Sequence, residues 1–146
     1  ITFNRAMDVL QTGKPKLMLV NLKEPDVAGH MGDWPLYLDG IRKGDAYAYQ
    51  LWTFIQGHPQ YRNNTVLLIT NDHGRHSDGW SNGFVSHGDN CEGCRHINFM
   101  ALGPGIHKGR IDTNLYSQND ITATIAKILG IDMPHCRGKV MDGIFD

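Results

Sequence analysis

Five side chains in this 146-residue sequence are of types that bind divalent cations and stand where a fold could gather them: Asp26 with His30, Asp72 with His73, and His87. Asp26 and His30 are four apart across Val27, Ala28 and Gly29, so one helical turn would place carboxylate and imidazole on the same side. On spacing alone the pair is a weak signal, read first as a turn-capping Asp beside a surface His, and its position after a predicted strand is what favours a ligand role. Asp72-His73 follows the apolar run 65–70 and precedes Gly74, where a turning backbone could aim both side chains at one ion. His87 precedes Gly88 in a polar, glycine-rich loop. His96 opens the next apolar run and competes for the same ligand role, with the loop position favouring His87. Carboxylate oxygens and imidazole nitrogens together suit zinc or manganese. Two such ions roughly 3.5 to 4 Å apart would clamp the attacking and leaving oxygens of a phosphoryl transfer.

The elements that must position these residues are legible as apolar patterns. Phe3, Ala6, Met7 and Leu10 recur at helical spacing up to the stop at Gly13-Lys14-Pro15. The short apolar run 16–22 predicts a strand buried on both faces, and 65–70 predicts a second. Between them Ile41, Asp45, Ala48, Leu51, Trp52 and Ile55 mark one face of a helix over about 36–56, a crossover that would make the two strands parallel. Residues 74–90 have no period and predict a loop long enough to be functional. A strand over 96–102 ends at Gly103-Pro104-Gly105, and a helix over 119–129 ends at Gly130, with Ser117 or Asn119 near its start. The expected architecture is one α/β domain over residues 1–146, a mainly parallel sheet covered by helices, with the ligands at the C-terminal edge of its strands.

Charge and composition narrow the partners. Fourteen Lys and Arg against fifteen Asp and Glu leave no basic field for a nucleic acid polymer, so a small molecule is the expected partner. No window approaches the roughly 20 apolar residues of a membrane span. The start at Ile1, without Met or a signal peptide, suggests a piece of something longer. Tyr47, Tyr49 and Trp52 are read as packing residues before a stacking platform. Arg75 and His76 are read as a solvated loop, with binding of substrate oxygens as the alternative. Cys91 and Cys94 form a Cys-x-x-Cys pair, read first as a local disulfide or two free thiols. A redox dithiol, or half of a structural zinc site completed by His96 or Cys136, are the alternatives. His58, His107 and His135 sit beside Pro or Gly in turns and are read as surface residues.

Taken in order, Asp26-x-x-x-His30, Asp72-His73-Gly74, His87-Gly88 and the stretch Phe99 to Ile106 with its Gly103-Pro104-Gly105 ending resemble the C-terminal portion of the alkaline phosphatase superfamily. That superfamily includes nucleotide pyrophosphatase/phosphodiesterases, phosphonoacetate hydrolase, cofactor-independent phosphoglycerate mutase and the sulfatases. The resemblance implies two divalent metal ions, one held by Asp26, His30 and His87 and the other in part by Asp72 and His73. It implies a metal-dependent hydrolase of phosphate mono- or diesters whose Ser or Thr nucleophile and further Asp ligand lie N-terminal to this chain, which alone would be inactive. A periplasmic or secreted location is implied too, and a surface left by truncation would favour self-association. The alternatives are a sulfatase-like sulfate ester hydrolase, suggested by Glu92-Gly93-Cys94-Arg95, and a non-catalytic metal- or thiol-bearing binding module.

Overall fold

The computed structural model describes residues 2–146, which fall into two compact units, the first from residues up to His58 together with His73–Ile97, the second from Pro59–Asp72 and Asn98–Asp146. In the first unit, helix α1 (Thr2–Gly13) buries Phe3 and Leu10. A short helix α2 (Asp26–His30) follows, and then the long helix α3 (Trp34–Gly57). Phe3 stacks on Tyr47 of α3 at 4.4 Å between ring centroids, so that aromatic serves packing, as its helical spacing predicts. Helix α3 starts where Asp33 accepts a hydrogen bond from the Leu36 backbone N–H at 2.9 Å, with Pro35 in the first turn where its missing N–H costs nothing. Helix α2 packs on α3, and Gly40 lets it approach, since a Cβ there would stand 3.0 Å from the Pro25 backbone. The loop after His73 carries a 3₁₀ turn (Gly83–Val85) and the four-residue helix α4 (Glu92–Arg95).

The second unit holds strands β1 (Leu67–Thr70) and β2 (Phe99–Leu102) and helix α5 (Gln118–Leu129). The two strands pair antiparallel, Leu67 opposite Leu102 and Thr70 opposite Phe99. The end of the ladder is locked by Asn71, whose side chain accepts from the Asn98 N–H at 2.8 Å, and by Thr70, whose hydroxyl donates to the Asn98 carbonyl at 2.9 Å. Ile106, Met141 and Ile144 form the core beneath, with Val66, Phe99, Tyr116 and Ile121 against it.

A mainly parallel sheet is therefore not what the described residues form: they contain one sheet, and it is an antiparallel pair. The apolar run 16–22 bends at Lys16-Leu17, forms no regular secondary structure and has no ladder partner, and Leu17 and Leu19 are 60% and 91% exposed. An apolar run says that backbone favours extension and that side chains seek burial. A strand needs in addition a neighbour to take its hydrogen bonds. The three long helices match their expected spans to within two residues. No helix among the described residues is long and apolar enough to cross a membrane.

Helix α5 holds the C-terminal segment through two side chains. Asp120 accepts from the Ser117 N–H at 2.8 Å, closing the helix start, and from the Lys139 N–H at 2.7 Å. Thr124, fully buried, donates to the Asp120 carbonyl at 2.7 Å and accepts from the Met141 N–H at 3.0 Å. Thr124→Val keeps the shape and strands a buried N–H, so it is expected to cost about 1–3 kcal/mol, read as a lower urea midpoint with unchanged slope; an unchanged midpoint would remove this bond from the account. The Lys139 and Ser117 N–H groups hold the Asp120 carboxyl below its ordinary 3.8. Its contribution to stability is thus complete above that unfolded value and is lost as pH falls through the lower folded one. Acid unfolding followed by fluorescence should be shallower below pH about 4 in Asp120→Asn than in the parent.

Candidate metal centre

The i, i+4 spacing of Asp26 and His30 is realised by α2, which spans those two residues. Asp26 Oδ1 lies 3.5 Å from His30 Nε2, 3.7 Å from His73 Nε2 and 3.6 Å from His87 Nε2. His30 and His87 present their Nε2 atoms to each other at 3.1 Å, and the His73 and His87 rings stack with centroids 3.5 Å apart. Asp26, His73 and His87 thus place ligand atoms within 4.8 Å of one another in the first unit, and His30 joins them through Asp26 and His87. His96, the competing histidine, instead ends α4 as its C-cap. Asp72 belongs to the second unit, at the end of β1, where its carbonyl accepts from the Gln118 side chain.

Protonation in this cluster favours cation binding. His73 Nδ1 lies 2.9 Å from the Gly74 carbonyl, which only accepts, so Nδ1 carries the proton and Nε2 offers its lone pair to the cluster. Burial, then the neighbouring His73 and Arg75, push the His87 imidazole below its ordinary 6.5, so it stays neutral and able to ligate at pH 7.

Arg75 is the residue that sequence reasoning missed. Read as part of a solvated loop, or as a substrate contact, its side chain is only 6% exposed and donates inward. One guanidinium nitrogen donates to both the carboxylate and, at 2.7 Å, the backbone carbonyl of Asp26; the other donates to the Phe84 and Val85 carbonyls at 2.9 and 3.1 Å. The planar fork thereby fixes Asp26 and the loop leading to His87 in one frame. Gly29 makes room, since a Cβ there would stand 2.4 Å from the guanidinium carbon. A glycine in a one-turn helix facing an arginine from elsewhere in the chain leaves no periodic signal, which is why spacing did not find the contact.

A second group of donors lies in the same unit: His76, Asp89, Cys91 and Cys94 each place one ligand atom within 4.8 Å of the others. His76, like Arg75, is buried, at 8% exposure, not solvated. Cys91 and Cys94 are not bonded to each other. A hydrogen bond from the Cys91 thiol to Asp89 pushes that thiol up to about 11. In the second unit, an open depression of about 520 Å³ beside α5, lined by residues including Asn119, Met133, His135 and Cys136, contains none of the five expected ligands.

With this geometry in view, comparison with known proteins places the chain. The family model of the Metalloenzyme superfamily matches residues 2–133, and the chain belongs to that alkaline-phosphatase-like superfamily. It is similar, at 26% identity over 134 residues, to a 2,3-bisphosphoglycerate-independent phosphoglycerate mutase of Gracilaria tenuistipitata var. liui, covering 89% of this chain and 24% of that protein. The chain thus spans about a quarter of the length of this relative. No solved structure matches it. Membership in the superfamily implies metal ions, and the chemistry of the donor set fits: the Asp26–His30, Asp26–His87 and His30–His87 separations of 3.5, 3.6 and 3.1 Å lie close to the edge of about 3.3 Å that a tetrahedron with ~2.0 Å zinc bonds requires.

The Arg75 contact sets the sign of a substitution. Gly→Ala in a helix is ordinarily stabilising by up to about 1 kcal/mol, whereas Gly29→Ala must expel the guanidinium and is expected to destabilise by about 1–3 kcal/mol. Thermal melts decide between them, and a raised Tm would refute the contact.

Proposed function

We propose that this chain supplies metal ligands to a metal-dependent phosphoryl-transfer centre acting on small phosphate esters. The observation that carries the reading is the convergence of three imidazole Nε2 atoms on one carboxylate oxygen, at 3.5 to 3.7 Å, in a chain of the Metalloenzyme superfamily. Asp26, His30 and His87 are assigned to one divalent ion and His73 to a second. The assignment of Asp72 beside His73 rests on the Asp72-His73-Gly74 motif. Zinc is the preferred ion, since sets of imidazole and carboxylate ligands suit it better than magnesium or calcium.

Bound divalent ions would supply Lewis acidity toward a phosphoryl oxygen. The chain's own residues do the rest of what can be assigned. Arg75 neutralises and orients Asp26, the Gly74 carbonyl fixes the His73 tautomer, and burial keeps His87 neutral. The attacking hydroxyl is assigned to a segment outside these 146 residues; support comes from the chain's match to 24% of a phosphoglycerate mutase.

Zinc affinity by competition with a fluorescent chelator tests the ligand set. Asp26→Ala and His87→Ala are each expected to weaken one site by at least about tenfold, and unchanged affinity in both would refute it. Zinc-loaded chain alone is expected not to turn over nitrophenyl phosphate. Turnover that disappears in Asp26→Ala would place the nucleophile within the chain.

A further inference from the structure

The donors His76, Asp89, Cys91 and Cys94 lie outside the centre described above. Their arrangement begins with a tight turn. The Cys94 N–H donates to Cys91 Sγ at 3.3 Å and the Arg95 N–H to the Cys91 carbonyl at 3.2 Å, so the two sulfurs are presented from one side of a single helical turn. Asp89, two residues upstream, accepts the Cys91 N–H at 3.0 Å on one oxygen and the Trp80 indole N–H at 3.0 Å on the other. The turn is pressed against the segment that follows His73: the Gly74 N–H donates to the Cys94 carbonyl at 2.9 Å, and a Cβ on Gly93 would stand 2.3 Å from the Arg75 carbonyl.

His76 arrives from that facing segment, and its protonation is set by its neighbours. The Ser86 hydroxyl donates to Asn82 Oδ1, so its oxygen accepts, at 3.1 Å, from His76 Nδ1. Nε2 is left as the lone-pair nitrogen. It is buried and makes no hydrogen bond, although Asp89 Oδ2 stands 3.3 Å away. A lone pair facing a carboxylate oxygen cannot hydrogen-bond to it, and a buried imidazole nitrogen without a partner costs about 1–3 kcal/mol. A cation between the two removes both problems. The separation of 3.3 Å is the edge of a tetrahedron with zinc bonds of ~2.0 Å.

We propose that His76, Asp89, Cys91 and Cys94 form a structural zinc site that clips the Cys-x-x-Cys turn to the segment after His73. Two sulfurs, one imidazole and one carboxylate complete four-coordination with no open position, which makes the site structural in kind, and two thiolates select zinc over the hard oxygen-loving cations. Binding releases the two thiol protons to solvent and forms two sulfur–zinc bonds, with no change of oxidation state. The clip closes the loop that carries His73 at its start and His87 near its end, so it stiffens half of the neighbouring cluster.

Cobalt(II) substitution on the full chain, held reduced with a phosphine, separates this site from the sulfur-free cluster. One equivalent of cobalt is expected to give a sulfur-to-metal charge-transfer band that persists in His87→Ala and is lost in Cys91→Ser and in Cys94→Ser. Ser86→Ala, which removes the hydrogen-bond partner of the His76 imidazole, is expected to weaken zinc by roughly 10–100-fold. Because the Cys variants themselves risk misfolding, thiol alkylation of the unmutated chain provides a second reading: zinc should protect Cys91 and Cys94 and leave Cys136 reactive. Absence of the band from a chain with native circular dichroism, its loss in Cys136→Ser, or equal alkylation of all three cysteines with zinc present would each overturn the proposal.

Discussion

The arrangement of the first unit depends on one buried cation. Arg75 cannot be deprotonated, and its side chain is almost wholly removed from water, so every donor it carries must find an acceptor inside the protein. The four on its two terminal nitrogens find them in the carboxylate and carbonyl of Asp26 and in the carbonyls of Phe84 and Val85. Those acceptors lie 49, 9 and 10 residues away in sequence, so satisfying one guanidinium brings α2 against the loop that carries His87. The aromatic packing of Trp34 and Tyr37 on Phe84, with centroids 4.9 and 5.7 Å apart, reinforces the same junction from the start of α3.

From that constraint the cluster follows. With α2 held, Asp26 and His30 face outward together. With the loop held, His73 and His87 stack and turn their Nε2 atoms toward the same carboxylate. The same loop, which has little regular secondary structure, also bears the His76, Asp89, Cys91 and Cys94 group.

How much of this was legible in the sequence depended on whether the signal was local. Helices α1, α3 and α5 announced themselves because apolar periodicity, Ser117 near a start and Gly at ends are all short-range features. The Asp26–His30 pair was readable because four residues make one helical turn. The run 16–22 was misread as a strand because its apolar composition cannot report whether a neighbour will supply a ladder. The Cys-x-x-Cys pair was seen, but its companions were sought at His96 and Cys136, near in sequence or alike in type. The structure supplies His76 and Asp89, which are joined to the pair only by the folding of the loop. Arg75 was set aside as solvated because arginine usually is, and only the acceptors from distant segments reveal otherwise.

The central claim is that Asp26 and its three imidazoles form a divalent-metal centre rather than a chance meeting of histidines around an ion pair. Anomalous-scattering crystallography at the zinc absorption edge, on crystals grown with zinc, addresses it most directly. The account predicts an anomalous peak within bonding distance of Asp26 and of the Nε2 atoms of His30 and His87, with Arg75 still bound to Asp26. A fully folded chain with no peak there, its imidazoles hydrogen-bonded only to water and to one another, would contradict it.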